Sequence, residues 1–130
     1  MTKKLIFVLA IAGLLLMAGC RVTPVHNVSD APVSTLSGGQ PTLDEMKQAI
    51  TRAGVNLGWV MREQSPGMIE GRLALRDHLA VVEIPYSRSG YSIRYKDSRN
   101  LNYDGENIHK NYNGWVQRLD QSIKAQLSQY

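Results

Sequence analysis

The period of the hydrophobic pattern changes twice between residues 41 and 127, and this limits the possible folds more than any other feature. Apolar side chains first recur every three or four residues, as on one face of a helix. They then recur at every second position, as in half-buried strands, before the helical spacing returns. A helix, several strands and a second helix in this order predict an α+β domain.

The first helical segment follows Pro41. Thr42 can act as the N-cap, and the Glu45 side chain three residues later can bind its amide, which together predict a capping box. We expect Gly54 to end this helix. The apolar positions between these signals follow helical spacing: Leu43, Met46, Ala49, Ile50 and Ala53.

Four strands are predicted in the middle of the chain, at residues 57–61, 69–75, 78–86 and 91–96. Short turn-forming segments separate them, which implies an antiparallel meander. From Glu106 a helical stripe extends to Leu127. The expected fold is therefore α+β: a helix, a four-stranded antiparallel meander and a long C-terminal helix, with both helices packed on one face of the sheet.

The first twenty residues have a different character from the rest. Lys3 and Lys4 are followed by about fifteen apolar or small residues without charge. This run is shorter than the ~20 apolar residues that span a bilayer. A basic start, an apolar middle and a small-residue end are typical of a secretory signal peptide. We therefore predict a signal peptide at residues 1–19.

The end of this run, Met17-Ala18-Gly19-Cys20, resembles a bacterial lipobox, with Met17 where leucine is more usual. The resemblance implies cleavage after Gly19, a diacylglyceryl group on the Cys20 sulfur and palmitoylation of its new amine, so that Cys20 would bind membrane lipid. The alternative is an ordinary signal peptide cut elsewhere, with Cys20 a free thiol. Cys20 is the only cysteine, which excludes an internal disulfide. Since Arg21 rather than aspartate follows it, analogy with Gram-negative lipoproteins implies the outer membrane, with the domain facing the periplasm.

Removal of residues 1–19 from the 130-residue chain leaves 111 residues, enough for one domain. Prolines, a Gly-Gly pair and small polar residues predict a lipidated tether at residues 20–40. As a flexible coil, such a tether would span about 25 Å. The valines between Val25 and Val33 leave an alternative, docking as an extended strand. Residues 41–130 would then form the single periplasmic domain.

The charge of the mature chain is nearly balanced. Lys3 and Lys4 leave with the signal peptide, which reduces the 15 basic residues to 13 against 11 acidic ones. The basic residues are scattered along the chain, so we expect no nucleic-acid partner.

No motif for catalysis or metal binding stands out. His26, His78 and His109 lack the spacing of a zinc site, and no nucleophile elbow is present. A triad of Ser98, His109 and Asp97 can be drawn, and Asp97 with Asp104 and Glu106 could form a weak calcium loop or a glycosidase pair. Solvated loops and separate structural histidines explain these residues better, so we expect no enzyme, no metal and no cofactor.

The stretch from residue 91 to 113 is rich in tyrosine, asparagine and basic residues, a composition suited to binding a glycan, a peptide or a protein. Tyr112 and Trp115 lie on the helical stripe, so we expect them in the core. The expected binding surface comprises Arg94, Lys96, Arg99, Asn100, Tyr103 and Lys110.

Together with the lipobox, Gly58-Trp59, the segment 91–101 and the pattern from Ile108 to Leu119 make the chain similar to small lipoproteins of proteobacteria. That group has no established activity, so only the lipobox carries a mechanism. We expect a non-enzymatic, outer-membrane-anchored lipoprotein that binds another cell-envelope component, with a protein as the expected partner. The alternative is a module that binds peptidoglycan or a small ligand through residues 91–113.

Overall fold

The computed structural model describes residues 21–130, so the predicted signal peptide and Cys20 lie outside the described residues. This part of the chain contains seven strands and two helices. In chain order they are β1 (Val22–Pro24), β2 (Val28–Pro32), α1 (Leu43–Asn56), β3 (Val60–Ser65), β4 (Met68–Leu75), β5 (His78–Pro85), β6 (Gly90–Arg99), β7 (Asn107–His109) and α2 (Lys110–Leu127).

The main sheet is antiparallel and has five strands, in the order β2-β6-β5-β4-β3. The α+β class is confirmed, and the last three predicted meander strands correspond to β4, β5 and β6. The first, predicted at 57–61, is misplaced, because β3 begins at Val60 and ends at Ser65. The predicted number of four strands in the main sheet is wrong, because β2 adds a fifth strand beside β6. A separate two-stranded sheet pairs β1 with β7.

Two of the three additional strands, β1 and β2, come from the segment that composition predicted to be a tether. The flexible-tether prediction is wrong for Val22–Pro24 and Val28–Pro32, which are paired strands, and the alternative of docking as an extended strand describes Val28–Pro32. Residues 33–40 form the loop that leads to α1. Ala31 is buried, and Val25, Val28 and Val33 pack against the core, so these apolar side chains favour docking. Pro24 and Pro32 end β1 and β2. Proline is tolerated there because the end of an edge strand needs no further ladder hydrogen bond.

Helix α1 begins as predicted. The Glu45 amide donates to Thr42 Oγ1 at 3.1 Å, and the Thr42 amide donates to Glu45 Oε1 at 3.0 Å, which confirms the capping box. The predicted end is wrong, because the helix continues past Gly54 to Asn56. Gly54 is buried inside the helix, where the Met61 side chain occupies the space a Cβ atom would need.

Helix α2 begins later than the sequence pattern predicted. The residues from Asn107 to His109 form β7, because their backbone pairs with β1 instead of starting the helix. His109 then caps α2, with its Nδ1 accepting from the Asn111 amide at 3.1 Å. Tyr112 and Trp115 are buried, as expected.

One apolar core joins the helices to the main sheet. Alternate positions of β4, β5 and β6 are buried together with the apolar residues of α1 and α2, and the two helices also contact each other. The core includes Met46, Ile50, Ile69, Val82, Ile84, Ile93, Val116, Leu119 and Ile123. Of the intervening strand positions, Val81 and Ser92 are also buried, whereas several others carry charged side chains that form the first candidate site.

Candidate functional site

Six charged side chains lie together on four neighbouring strands. In the register of the sheet, Glu70 is opposite both Arg62 and Glu83, and Glu83 is opposite Arg94. Directly opposite residues of antiparallel strands point to the same face. Ion pairs place two further cations beside them. We call this surface the charged face: Arg62, Glu70, Arg72, Glu83, Arg94 and Lys96.

Glu70 is the centre of the charged face. Its Oε2 is 2.8 Å from Lys96 Nζ, and its Oε1 is 3.5 Å from Arg72 Nη1. Lys96 also lies 3.4 Å from Glu83. The hydrogen bond from Lys96 is the main cause that holds the pKa of Glu70 below its ordinary value, against the opposing effect of burial.

The charged face carries an excess of positive charge. Four cations face two carboxylates, a net charge of +2, which equals the net charge of residues 20–130 as a whole. Arg62 and Arg94 form no ion pair with any residue between 21 and 130. The cations are scattered in sequence, and the strand register brings them together.

A second site is built on three tyrosines that we call the tyrosine cluster: Tyr95, Tyr103 and Tyr112. The ring centroids of Tyr95 and Tyr103 are 4.0 Å apart at an interplanar angle of 31°, so the two rings are tilted and in close contact. Tyr112 meets Tyr95 edge-on at 5.6 Å. Tyr103 is 41% exposed and presents its ring at the surface.

Tyr112 packs against Tyr95 and is fully buried. Within residues 21–130 its hydroxyl group has no hydrogen-bond partner. Burial raises the pKa of this hydroxyl well above its ordinary value. The polar tip of Tyr112 is therefore an uncompensated group in the core.

A depression of about 440 Å³ lies beside the tyrosine cluster, lined by residues 95–98 and 100–103. The loop that forms its rim has a specific backbone conformation. Asn100 and Asn102 adopt positive φ angles of 58° and 54° on either side of the buried Leu101. Asp104 Oδ1 accepts from the amides of Glu106 and Asn107 at 2.9 and 2.7 Å, which closes the loop.

The six residues predicted as one binding surface occupy different places. Lys96, Asn100 and Tyr103 line the same depression. Arg94 instead lines a separate cavity of about 400 Å³ near β2. Arg99 and Lys110 are exposed at the end of β6 and the start of α2, and line neither cavity.

Asn100 has a structural role in this arrangement. Its Nδ2 donates to the Asp77 carbonyl oxygen at 2.7 Å, and its own carbonyl oxygen lies 2.8 Å from His78 Nδ1. These contacts tie the loop after β6 to the turn before β5. The side chain is consequently a turn-forming group, as asparagine at positive φ commonly is.

The residues considered for chemistry make separate contacts. Ser98 bonds Tyr95 through its hydroxyl, Asp97 accepts from the Ser98 amide, and His109 caps α2. Between residues 21 and 130, no group of three histidine, cysteine, aspartate or glutamate side chains is placed to hold a metal ion. The same range contains no helix with the length and apolarity needed to cross a membrane.

Sequence patterns did not reveal Asn113, which holds the N-terminal segment in place. Its Nδ2 donates to Thr23 Oγ1 at 2.8 Å and to the Pro24 carbonyl oxygen at 2.9 Å. Its Oδ1 accepts from the His26 amide at 2.9 Å. The partners are 87 to 90 residues away in sequence, so no local signal marks this contact.

Comparisons of the chain with protein-family models, curated proteins and solved structures each found no match. The candidate functions therefore follow from the charged face, the tyrosine cluster and the lipobox resemblance alone.

Proposed function

We propose that this chain is an outer-membrane lipoprotein whose periplasmic domain binds an acidic surface of another envelope protein through the charged face. The domain is held in the membrane by lipid on Cys20 and has no enzymatic role. The observation that carries the proposal is the excess of exposed cations on one side of the sheet.

The composition of the charged face suits a protein partner. Arg62 on β3 and Arg94 on β6 are exposed at opposite sides of the charged face and are available to pair with carboxylates of a partner. Val60 is 53% exposed and lies opposite Arg72, so apolar surface adjoins the charges. Arginine beside apolar area is common at protein interfaces, and complementary charge favours association and partner choice.

Photo-crosslinking in living cells tests this proposal. A photoreactive side chain at Arg62 or Arg94 should give a discrete protein adduct, and the same probe at exposed Gln48 on α1 should give none. Probes at Arg99, Tyr103 and Lys110 examine the other predicted surface residues. A correctly folded and anchored protein that gives no adduct at Arg62 or Arg94 would count against this interface.

Charge reversal supplies an independent test. The double change Arg62→Glu and Arg94→Glu should weaken retention of the captured partner at least tenfold, because carboxylates would then face an acidic surface. The double change Arg52→Glu and Arg118→Glu, at exposed positions on α1 and α2, alters the net charge by the same amount elsewhere and should leave retention within twofold. Equal loss in both variants would show that only net charge matters.

The membrane anchor is tested separately. Mass spectrometry of the N-terminal peptide should find three acyl chains on Cys20, and Cys20→Ser should release the protein from the membrane fraction. An unmodified Cys20 thiol would refute the lipoprotein assignment without bearing on the charged face.

The tyrosine cluster favours a second candidate, a module that binds cell-wall glycan or a small ligand. An exposed aromatic ring over a polar depression can stack against a sugar ring while nearby groups form hydrogen bonds. Co-sedimentation with purified cell wall tests it. Tyr103→Ala should abolish retention by the cell wall, and Tyr103→Phe, which keeps the ring, should preserve it. Unchanged retention of the Tyr103→Ala variant would exclude this site.

A further inference from the structure

The chain joins the folded domain directly after Cys20. The Arg21 carbonyl oxygen accepts a hydrogen bond from the Lys110 amide at 3.0 Å, at the start of α2. The next residue, Val22, pairs with His109 in the β1–β7 sheet. Consecutive Cα atoms are about 3.8 Å apart, so residue 20 is attached within one residue of the domain surface.

Several contacts hold this attachment in place. β1 pairs with β7 along its whole length, and the Val25 amide donates to the Glu106 carbonyl oxygen at 3.0 Å. The three hydrogen bonds of Asn113 fasten Thr23, Pro24 and His26 to the first turns of α2. A lipid on Cys20 would consequently be linked to a structured end of the domain without an intervening spacer.

We propose that the β1–β7 end of the domain rests against the lipid headgroups, with the N-terminus of α2 towards the membrane. This inference rests on the proposed lipidation of Cys20. It replaces the expected clearance of about 25 Å, which would require a flexible tether of about 20 residues.

The side chains at this end suit a phospholipid surface. Arg21 and Lys110 are exposed, and neither forms an ion pair within the described range 21–130. Val22 is 40% exposed beside them. The nearest acidic residues along β7, Asp104 and Glu106, precede its other end, where Asn107 pairs with Pro24. The positive charges therefore lie at the end nearest the anchor, where phosphate groups attract them.

Fluorescence quenching at two positions of α2 tests the orientation. Lipidation consumes the only cysteine, so a cysteine introduced at exposed Asn111 or exposed Ala125 is a unique thiol for a fluorophore. Helical rise separates these two positions by about 21 Å. The full-length lipidated protein is placed in vesicles of phosphatidylethanolamine and phosphatidylglycerol that contain a headgroup-spin-labelled lipid. Quenching at Asn111→Cys should exceed that at Ala125→Cys about threefold or more.

A flexible linker provides the matched control. Insertion of about 20 glycine and serine residues between Cys20 and Arg21 should reduce quenching at position 111 to the level at position 125. Mass spectrometry and flotation with the vesicles establish lipidation independently. Failure of those two measurements would refute the anchor, whereas a lipidated protein with equal quenching at both positions would overturn the orientation alone.

Discussion

Two buried tyrosines differ in how their hydroxyl groups are satisfied, although both lie in the same core. The Tyr91 hydroxyl donates to the Asp120 carboxylate, whereas the Tyr112 hydroxyl has no partner within residues 21–130. Burial is the main cause that raises the pKa of both side chains. A buried hydroxyl stabilises a fold only when its hydrogen bond replaces the one it made to water.

The same substitution should therefore have opposite effects at these positions. Tyr91→Phe should lower the free energy of unfolding by about 1.5–3 kcal/mol, because it removes a hydrogen bond to the Asp120 carboxylate. Tyr112→Phe should leave it unchanged or raise it by about 1 kcal/mol, since the lost hydroxyl was unpaired. Urea denaturation of both variants measures the difference. A comparable loss of stability in Tyr112→Phe would reveal a partner for its hydroxyl.

The ionisation of Glu70 makes the stability of the fold depend on pH. Since its pKa is held below the ordinary value of 4.5, its ionised form stabilises the fold above that pH. This contribution is lost as the pH falls through the lower pKa of the folded protein. Lys96→Met removes the main cause of the lowered pKa of Glu70. The variant should therefore be less stable than the unmodified protein near pH 6, and this difference in the free energy of unfolding should shrink as the pH falls to about 3.

Denaturant midpoints across that pH range measure this effect. Lys110→Met is the matched control, because it removes the same charge at an exposed position that forms no ion pair in the described range 21–130. A pH-independent difference for Lys96→Met would show that Lys96 contributes through packing alone.

At the scale of single elements, the addition of β2 to the sheet depends on a glycine. Gly90 begins β6 and pairs with Pro32, and a Cβ atom there would lie 2.7 Å from the Ala31 carbonyl oxygen. That oxygen belongs to the backbone and cannot move without shifting β2. At Gly39, in the loop before α1, an added Cβ atom would make only an ordinary contact, 3.6 Å from the Ser37 hydroxyl oxygen.

Gly90→Ala should therefore destabilise the protein by about 1–3 kcal/mol, in the range of overpacking. Gly39→Ala should be neutral or slightly stabilising, because it reduces the freedom of the unfolded chain. Hydrogen exchange should also accelerate at the Val33 and Asp30 amides of Gly90→Ala, which donate to Ser89 and Ser92. Unchanged exchange at both amides would mean that β2 tolerates the added methyl group.

At the scale of the whole molecule, the N-terminal segment is part of the folded domain. Removal of residues 21–32 from the chain would expose the edge of β6 and the side chains that Ala31 and Val28 cover. We expect the melting temperature to fall by about 10 °C or more, since each 1 kcal/mol shifts it by about 4–8 °C. A tether could be removed without effect, so an unchanged melting temperature would restore the tether interpretation.

Leu36→Ser offers a comparison within the same N-terminal region. Leu36 is 82% exposed in the loop that follows β2, so its replacement should change the melting temperature by no more than about 2 °C. Together the two variants separate the paired part of the segment from the part that only connects it to α1.

Local chemistry determined much of this fold from the sequence by itself. The Thr42 and Glu45 capping box needs only residues three positions apart, and the period of the apolar side chains located β4, β5, β6 and most of α2. These signals suffice because helices and hairpins are made from neighbours in the chain. Periodicity also separated buried from less buried positions along most of β4, where Ile69, Gly71 and Leu73 are buried.

Only the tertiary structure decided which distant segments meet. Asp30 bonds Ser92 across 62 residues, and Asn113 bonds Thr23 across 90. The prolines and glycines around these contacts give the segment the composition of a linker. Composition alone cannot show whether the segment will find the free edge of a strand with which to pair. The charged face likewise depends on the register that aligns Arg62, Glu70 and Glu83. Hydrophobic period specifies the face of a strand, whereas its neighbour and register depend on long-range pairing.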